Sequence, residues 1–361
     1  MDVAGRLERL RHRFDDAGVD ALLVTSLTNV RYLTGFTGSA ALLLVRADAV
    51  TFVSDGRYRD QAADQLGAAG VEARIEITAT DHEKVLGAAA QGVRRLGLEA
   101  DHVTWGQQRR YDQSWFPTTE LVATERLVED LRLVKDPGEL DRMEAAATIA
   151  DEALAHVLPM LVDGRTEAEI ALELETEMRR RGASGPSFES IVASGPNGAK
   201  PHARPGPRPV GRHELVVMDF GAVVDGYCSD MTRTFTVGEP AGDVAPRMLE
   251  VVADSQRAGV AAVRSGVTAG EVDRACREII EAAGWGEAFL HSTGHGVGLD
   301  IHEAPRVSAQ GDAVLTTGEV VTVEPGVYLP EVGGVRIEDT VVVTDDGCRL
   351  LTRAPKESLL T

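Results

Sequence analysis

The strongest constraint on the fold is a repeat inside the chain. Gly164-Arg165-Thr166-Glu167-Ala168-Glu169-Ile170 returns as Gly266-Val267-Thr268-Ala269-Gly270-Glu271-Val272. A Thr followed three residues later by Glu is a capping box that opens a helix. Each helix then meets a glycine sixteen residues after its Thr, at Gly182 and Gly284. Downstream, Val216-Val217-Met218-Asp219-Phe220-Gly221 is echoed by Val321-Thr322-Val323-Glu324-Pro325-Gly326, and the two offsets are 102 and 105 residues. Two copies are too few for a solenoid. The pattern predicts two helix-plus-hairpin halves facing each other across a pseudo-two-fold axis.

The echoed strands carry acid where acid is costly. Asp219 lies within an apolar strand over residues 215–221, and an unpaired buried charge costs several kcal/mol. Asp225-Gly226 reads as a hairpin turn, and the returning strand carries Asp230 with Thr232 and Thr234 on the same face. In the second half Glu324 ends the strand 320–323, Pro325-Gly326 turns the chain, and residues 334–343 return with Arg336, Glu338 and Thr340 on one face. Each half thus supplies two carboxylates, Asp219 with Asp230 and Glu324 with Glu338. Four carboxylates gathered on buried strands do not all ionise without cations. Pairing with arginines is the bland alternative; a metal site is the sharper one.

Five of the nine histidines lie near these strands: His202, His213, His291, His295 and His302. His295 is the best nitrogen ligand, because Gly294 and Gly296 let its backbone come close to a metal. Four oxygen donors with one imidazole favour Mn²⁺, with Co²⁺, Fe²⁺ or Zn²⁺ as alternatives. More carboxylates than one ion needs imply two ions, a pair suited to activating water as nucleophile and polarising a carbonyl.

The rest of the chain frames this site. At 361 residues it is about twice the usual domain length, so two domains are expected. Residues 1–130 read as a small α/β domain, with helical spacing at 6–17, 57–66 and 82–91 and buried strands at 21–25, 40–45 and 49–53. Residues 131–361 read as a mixed α+β domain. It opens with an Asp136 N-cap, Pro137 in the first turn and Glu139 at the capping-box position. Apolar residues then recur from Leu140 to Leu161 at the spacing of one buried helix face.

The net charge of −20 argues against nucleic acid and against an anionic membrane surface. No apolar run approaches a membrane span, the first residues lack a signal-peptide stretch, and Cys228, Cys276 and Cys348 are too scattered for a disulfide framework. These features place the chain in the cytoplasm. There is no P-loop, no GxSxG elbow and no HExxH pair.

The segments Met218-Asp219-Phe220-Gly221, Tyr227-Cys228-Ser229-Asp230-Met231-Thr232-Arg233-Thr234, Gly294-His295-Gly296-Val297-Gly298, His302-Glu303, Val323-Glu324-Pro325-Gly326 and Arg336-Ile337-Glu338-Asp339 resemble the Xaa-Pro peptidases. These are the aminopeptidase P and prolidase group with the "pita-bread" fold. The resemblance spans residues 131–361 and extends more weakly to residues 29–38 and 55–58 of the first domain. It implies that Asp219 binds one metal, that His295 and Glu324 bind the other, and that Asp230 and Glu338 bridge them. It also implies His202 near the developing tetrahedral oxygen, His291 and His302 around the proline and leaving group, Arg336 orienting the bridging glutamate, and Tyr328 behind the ligands. The implied activity is metal-assisted hydrolysis of the bond before proline, with Glu324 shuttling the proton and the free α-amino group held near the metals. The implied substrates are short proline-containing peptides or dipeptides, and the implied assembly is a homodimer. Dipeptidase and aminopeptidase both remain open. The alternatives are another aminopeptidase on the same fold, such as one removing methionine, and a non-catalytic pita-bread binding module; the large first domain argues against the former and the full ligand set against the latter.

Overall fold

The computed structural model describes residues 1–240, 242–356 and 359–360, and the chain divides into two compact units, Met1–Arg132 and Leu133–Thr361. The first unit is built on a six-stranded mixed sheet. Its strands lie in the order Arg74–Ile77, Val50–Ser54, Leu42–Arg46, Ala21–Val24, Arg95–Glu99, Glu120–Thr124. Leu23, Leu44, Val53, Leu96, Leu98, Tyr111 and Phe116 pack its core. The helix expected over 6–17 is broken into Val3–Arg11 and Phe14–Ala17, and Gly18 closes it in the left-handed conformation (φ 64°).

The second unit repeats one plan twice. Its first helix, Pro137–Val157, starts at Asp136, and Asp136 and Glu139 exchange two capping bonds of 2.9 Å. Met143, Ala147, Ala150, Leu154 and Val157 form its buried face. Four alanines on this helix (146, 147, 150 and 153) are buried, so small side chains bring it close to its sheet where a core poor in aromatics has few large ones to spend. The repeated helices follow. Glu167–Arg180 and Ala269–Ala282 are each 14 residues long, and each opens with a complete Thr/Glu capping box. Gly182 and Gly284 both have positive φ (108° and 86°), the conformation that ends a helix at low cost in glycine. Thr166 and Thr268 also make matching isolated bridges, to Pro209 and Val314.

Each half then forms three antiparallel strands. In the first half these are Ile191–Ser194, Leu215–Phe220 and Met231–Val237; in the second, Gly294–Gly296, Val320–Val323 and Asp339–Val343. The hairpin joining the last two strands is broken in both halves. In the first, Ala222–Val224 and Tyr227–Cys228 pair around Asp225-Gly226, whose φ values of 45° and 79° fit a two-residue primed turn.

In the second half the reversal expected at Pro325-Gly326 does not occur there. The chain runs on as Gly326–Leu329, reverses over residues 330–332, and returns as two strands, Gly333–Arg336 and Asp339–Val343, instead of one. Proline at 325 lacks the N–H that would continue the ladder, so the sheet breaks at that point without turning back.

Candidate metal centre

Asp230 and Glu338 occupy the breaks, each immediately before the returning strand of its half. Asp219 is one residue inside the last ladder rung, Phe220↔Met231, and faces Thr232. Glu324 stands one residue beyond the equivalent rung, Val323↔Asp339. His295 is at the centre of its three-residue strand. The flanking glycines serve a purpose other than the one expected from sequence. A Cβ at Gly294 would meet the Thr322 carbonyl at 2.0 Å, and one at Gly296 would meet the Ala304 carbonyl at 2.1 Å. They make room for the neighbouring strands, which hold His295 in place.

All nine candidate site residues line one cavity of about 580 Å³: Asp219, Asp230, Glu324, Glu338, His202, His291, His295, His302 and Arg336. Oxygens of Asp219, Asp230 and Glu338 lie within 4.8 Å of one another. His295 Nε2 is 3.5 Å from Asp230 Oδ2 and 3.4 Å from Glu324 Oε1. Its Nδ1 lies 2.9 Å from the Gly296 carbonyl. That carbonyl can only accept, so Nδ1 carries the proton and Nε2 presents a lone pair to the carboxylates. Burial pushes His295 down to about 4, so the ring is neutral at pH 7.

Burial and mutual repulsion raise Asp230 and Glu338 well above the usual carboxylate range, and burial holds Glu324 up to about 8. Asp219 Oδ1 and Glu338 Oε1 are buried with no hydrogen-bond partner. Acceptors of this kind cost about 1–3 kcal/mol each when left unmade. A lone pair and orphaned carboxylate oxygens facing one space fit divalent cations, which would use every one of them.

The surrounding bonds fix these side chains. Arg336 was expected to orient Glu338; its guanidinium instead pairs with Asp219 Oδ2 at 2.5 Å. It reaches Glu338 only through Thr232, whose hydroxyl accepts from Arg336 Nε (3.1 Å) and donates to Glu338 Oε2 (2.7 Å). A planar guanidinium two residues from Glu338 crosses to the other half's aspartate because the ladder breaks between them. Arg336 also donates to the Tyr328 hydroxyl (2.5 Å), which lies 2.9 Å from His291 Nε2. His291 Nδ1 is 2.8 Å from the Ser292 carbonyl, so Nε2 accepts from Tyr328. Burial, helped by the Arg336 charge, lowers His291 to about 4, while burial lifts Tyr328 to about 12. The hydroxyl of Thr322 donates to Glu324 Oε1 (3.1 Å) and accepts from the His295 backbone N–H (3.0 Å).

His202 and His302 are exposed at the cavity rim, and the His302 ring lies 4.4 Å from that of His295, centroid to centroid. His213 is not in the cavity; its ring bonds the Glu239 carbonyl. Sequence reasoning missed Ile191, Arg204 and Arg306 on the cavity wall. Arg306 pairs in register with His295 across a shift in the ladder, which no local sequence signal reveals.

Comparison with known proteins identifies the family. The model of metallopeptidase family M24 matches residues 141–345, and that of the creatinase/prolidase N-terminal domain matches residues 6–134. A Xaa-Pro dipeptidase of Pyrococcus furiosus is 34% identical over 356 residues, covering 98% of this chain and 99% of its own. A solved Xaa-Pro dipeptidase of Bacillus anthracis superposes with a TM-score of 0.95 at 40% identity, over 99% of this chain and 100% of its own. A solved X-Pro aminopeptidase of Thermotoga maritima gives 0.89 at 34% identity, over 98% and 100%.

Proposed function

Because the chain belongs to metallopeptidase family M24, we propose that it is a metal-dependent exopeptidase hydrolysing the bond between an N-terminal residue and a following proline. One observation carries this reading: two buried carboxylates (Asp230, Glu338), two half-buried ones (Asp219, Glu324) and one imidazole lone pair converge on a single cavity, with two carboxylate oxygens left unbonded. Asp219 would hold one ion and His295 with Glu324 the other, with Asp230 and Glu338 serving both. This donor set suits Mn²⁺ best and also accepts Co²⁺, Fe²⁺ or Zn²⁺. When bound, the ions supply Lewis-acid activation of water and of the scissile carbonyl.

The chain's own residues do the rest. Glu324, acting as a carboxylate, would take a proton from the attacking water and pass it to the proline nitrogen. Arg336 neutralises Asp219 and, through Tyr328, fixes the neutral His291. His202 donates toward the carbonyl oxygen as charge develops there, and His291 and His302 flank the proline. A tertiary Xaa-Pro amide has no N–H to grip, so shape and these side chains select it.

Within this reading we favour a dipeptidase. Arg306 lies one strand over from His295, and Arg204, 3.4 Å from Glu189, lies on the loop after His202; both are exposed and line the cavity. A guanidinium there suits the free carboxylate of a two-residue substrate. A homodimer in the cytoplasm completes the proposal, on the resemblance alone, and sedimentation of the purified protein checks its assembly.

The test is turnover by metal-stripped protein of Xaa-Pro dipeptides and Xaa-Pro-Xaa tripeptides, before and after Mn²⁺ is restored. The expected result is metal-restored cleavage that favours the dipeptide. Arg306→Ala should raise KM for the dipeptide about 10–100-fold, as expected for a lost charged hydrogen bond. Cleavage that survives metal removal, or that ignores proline in the second position, would overturn the proposal.

A further inference from the structure

The two sheets that meet at the cavity belong to different halves, and something must hold their bridging carboxylates at one separation. The last segment of the chain is placed to do so. Cys348–Leu350 pairs with Asp339–Val343 at the edge of the second-half sheet. Leu359–Leu360 then runs parallel to Met231–Val237 at the edge of the first-half sheet. In the segment that follows Leu350, Thr352 is fully buried and Ala354 nearly so.

Its contacts converge on Asp339, the neighbour of Glu338. Asp339 Oδ1 accepts from Arg233 (2.9 Å) and from the Thr352 hydroxyl (3.0 Å). Asp339 Oδ2 accepts from Gln256 (2.8 Å) and pairs with Lys356 Nζ at 2.5 Å. Lys356 also donates to Gln256 Oε1 (3.0 Å). Arg233 is as buried as Asp339. It donates to the backbone carbonyls of Thr232, Glu338 and Ala354. Thr340 adds the reciprocal bond, from its hydroxyl to the Asp230 carbonyl (2.8 Å).

We propose that residues 351–356 are a strap that sets the spacing of the bridging carboxylates Asp230 and Glu338, with Arg233, Asp339 and Lys356 as its positioning residues. The inference rests on the reading of Asp230 and Glu338 as metal ligands. Backbone carbonyls of Glu338 and of Thr232, on the first half's returning strand, are tied to one guanidinium, and that guanidinium is tied to a carboxylate clamped by the strap. A second cation on Asp339 is not needed to neutralise it, since Arg233 already does. Lys356 therefore acts through geometry: it stops the carboxylate from tipping toward Arg233 and drawing the Glu338 backbone with it. Its side chain is 36% exposed, so it can be changed with little risk to the core.

The experiment titrates the metal-stripped parent, Lys356→Met and Lys356→Arg with Mn²⁺ by calorimetry. It also records the visible spectrum of each protein loaded with Co²⁺ and the thermal unfolding of each without metal. Lys356→Met should weaken the second, weaker binding step about 10-fold, the lower range for partners lying behind metal ligands. It should leave the first step within about twofold, and it should change the Co²⁺ band intensities. Lys356→Arg should restore both. Thr352→Val, which removes another strap bond to Asp339, should shift the same step in the same direction. Parent-like binding and spectra in Lys356→Met and Thr352→Val, with only lowered unfolding temperatures, would overturn the strap while leaving the metal centre intact. A parent that binds no Mn²⁺ would overturn the metal reading and the strap with it.

Discussion

The two halves of the second unit share a plan and differ at the residues proposed as metal ligands. Counting from the last rung before each break, Ile191 in the first half occupies the place of His295 in the second. Asp219 occupies the place of Thr322, and Gly221 that of Glu324. The first-half hairpin closes in two residues, whereas the second-half hairpin is longer and carries Tyr328 and Arg336. The first half therefore supplies two short acids, and the second supplies an imidazole, two long acids and the arginine that steadies the first half's Asp219. Duplication explains the scaffold. The chemistry comes from the departures from it.

Breaking either half at its bridge should have the largest effect. Asp230→Ala and Glu338→Ala should each lower kcat/KM at least about a thousandfold, about 4 kcal/mol of barrier, with loss of bound metal measured alongside. An active Asp230→Ala variant would end the two-ion account.

Gly296 and Val192 sharpen the comparison, because they occupy equivalent places with opposite demands on space. Gly296→Ala puts a methyl against the Ala304 carbonyl and should cost about 3 kcal/mol. Val192→Ala, at a fully buried position, should cost about 2 kcal/mol through a cavity. Urea denaturation of both variants measures these costs.

The acids contributed by both halves should also show in stability against pH. Glu324 is raised to about 8 in the folded metal-free protein, so its contribution is fully present below the unfolded carboxylate pKa and is lost as pH rises through about 8. Asp230 and Glu338 shift the same way. His291 and His295 are lowered to about 4; they act in the opposite sense, and only between about 4 and the ordinary histidine value of about 6.5. Between about pH 6.5 and 8 these histidines no longer oppose the acids. The melting temperature of metal-free protein should then fall by roughly 5 °C, and saturating Mn²⁺ should flatten the slope. A rising melting temperature over that window would count against the cluster.

Tyr328→Phe removes the link between Arg336 and His291 and should lower kcat about 10-fold, with about 1–3 kcal/mol of stability lost as its buried partners go unbonded. The repeated caps give the smallest effect. Thr166→Ala and Thr268→Ala should each cost about 1 kcal/mol and add in the double variant, since the caps are locally equivalent.

The repeat was legible because its devices are local. A capping box and a left-handed glycine declare themselves within a few residues, as does an Asp-Gly turn. The four acids were legible because an apolar strand is an expensive place for them. What escaped was set by contacts distant in sequence. Arg336 meets Asp219 across 117 residues, Thr232 links Arg336 to Glu338 across a break, and the glycines around His295 answer to carbonyls of two other strands. The reversal at 330–332 was hidden because Pro325-Gly326 carries a turn signature while serving as a break. The helix near the N-terminus was read too long because residues 12–13 keep helical backbone angles between two separate segments.

The central claim is that two unlike halves build one site for two ions. Equilibrium dialysis of metal-stripped protein against Mn²⁺, with metal counted per chain, tests it most directly. Two ions per parent chain are expected, with one in Asp219→Asn, where only the ion held by His295 and Glu324 keeps its own ligands. A parent that is fully active on an Xaa-Pro dipeptide with one ion or none would contradict the claim.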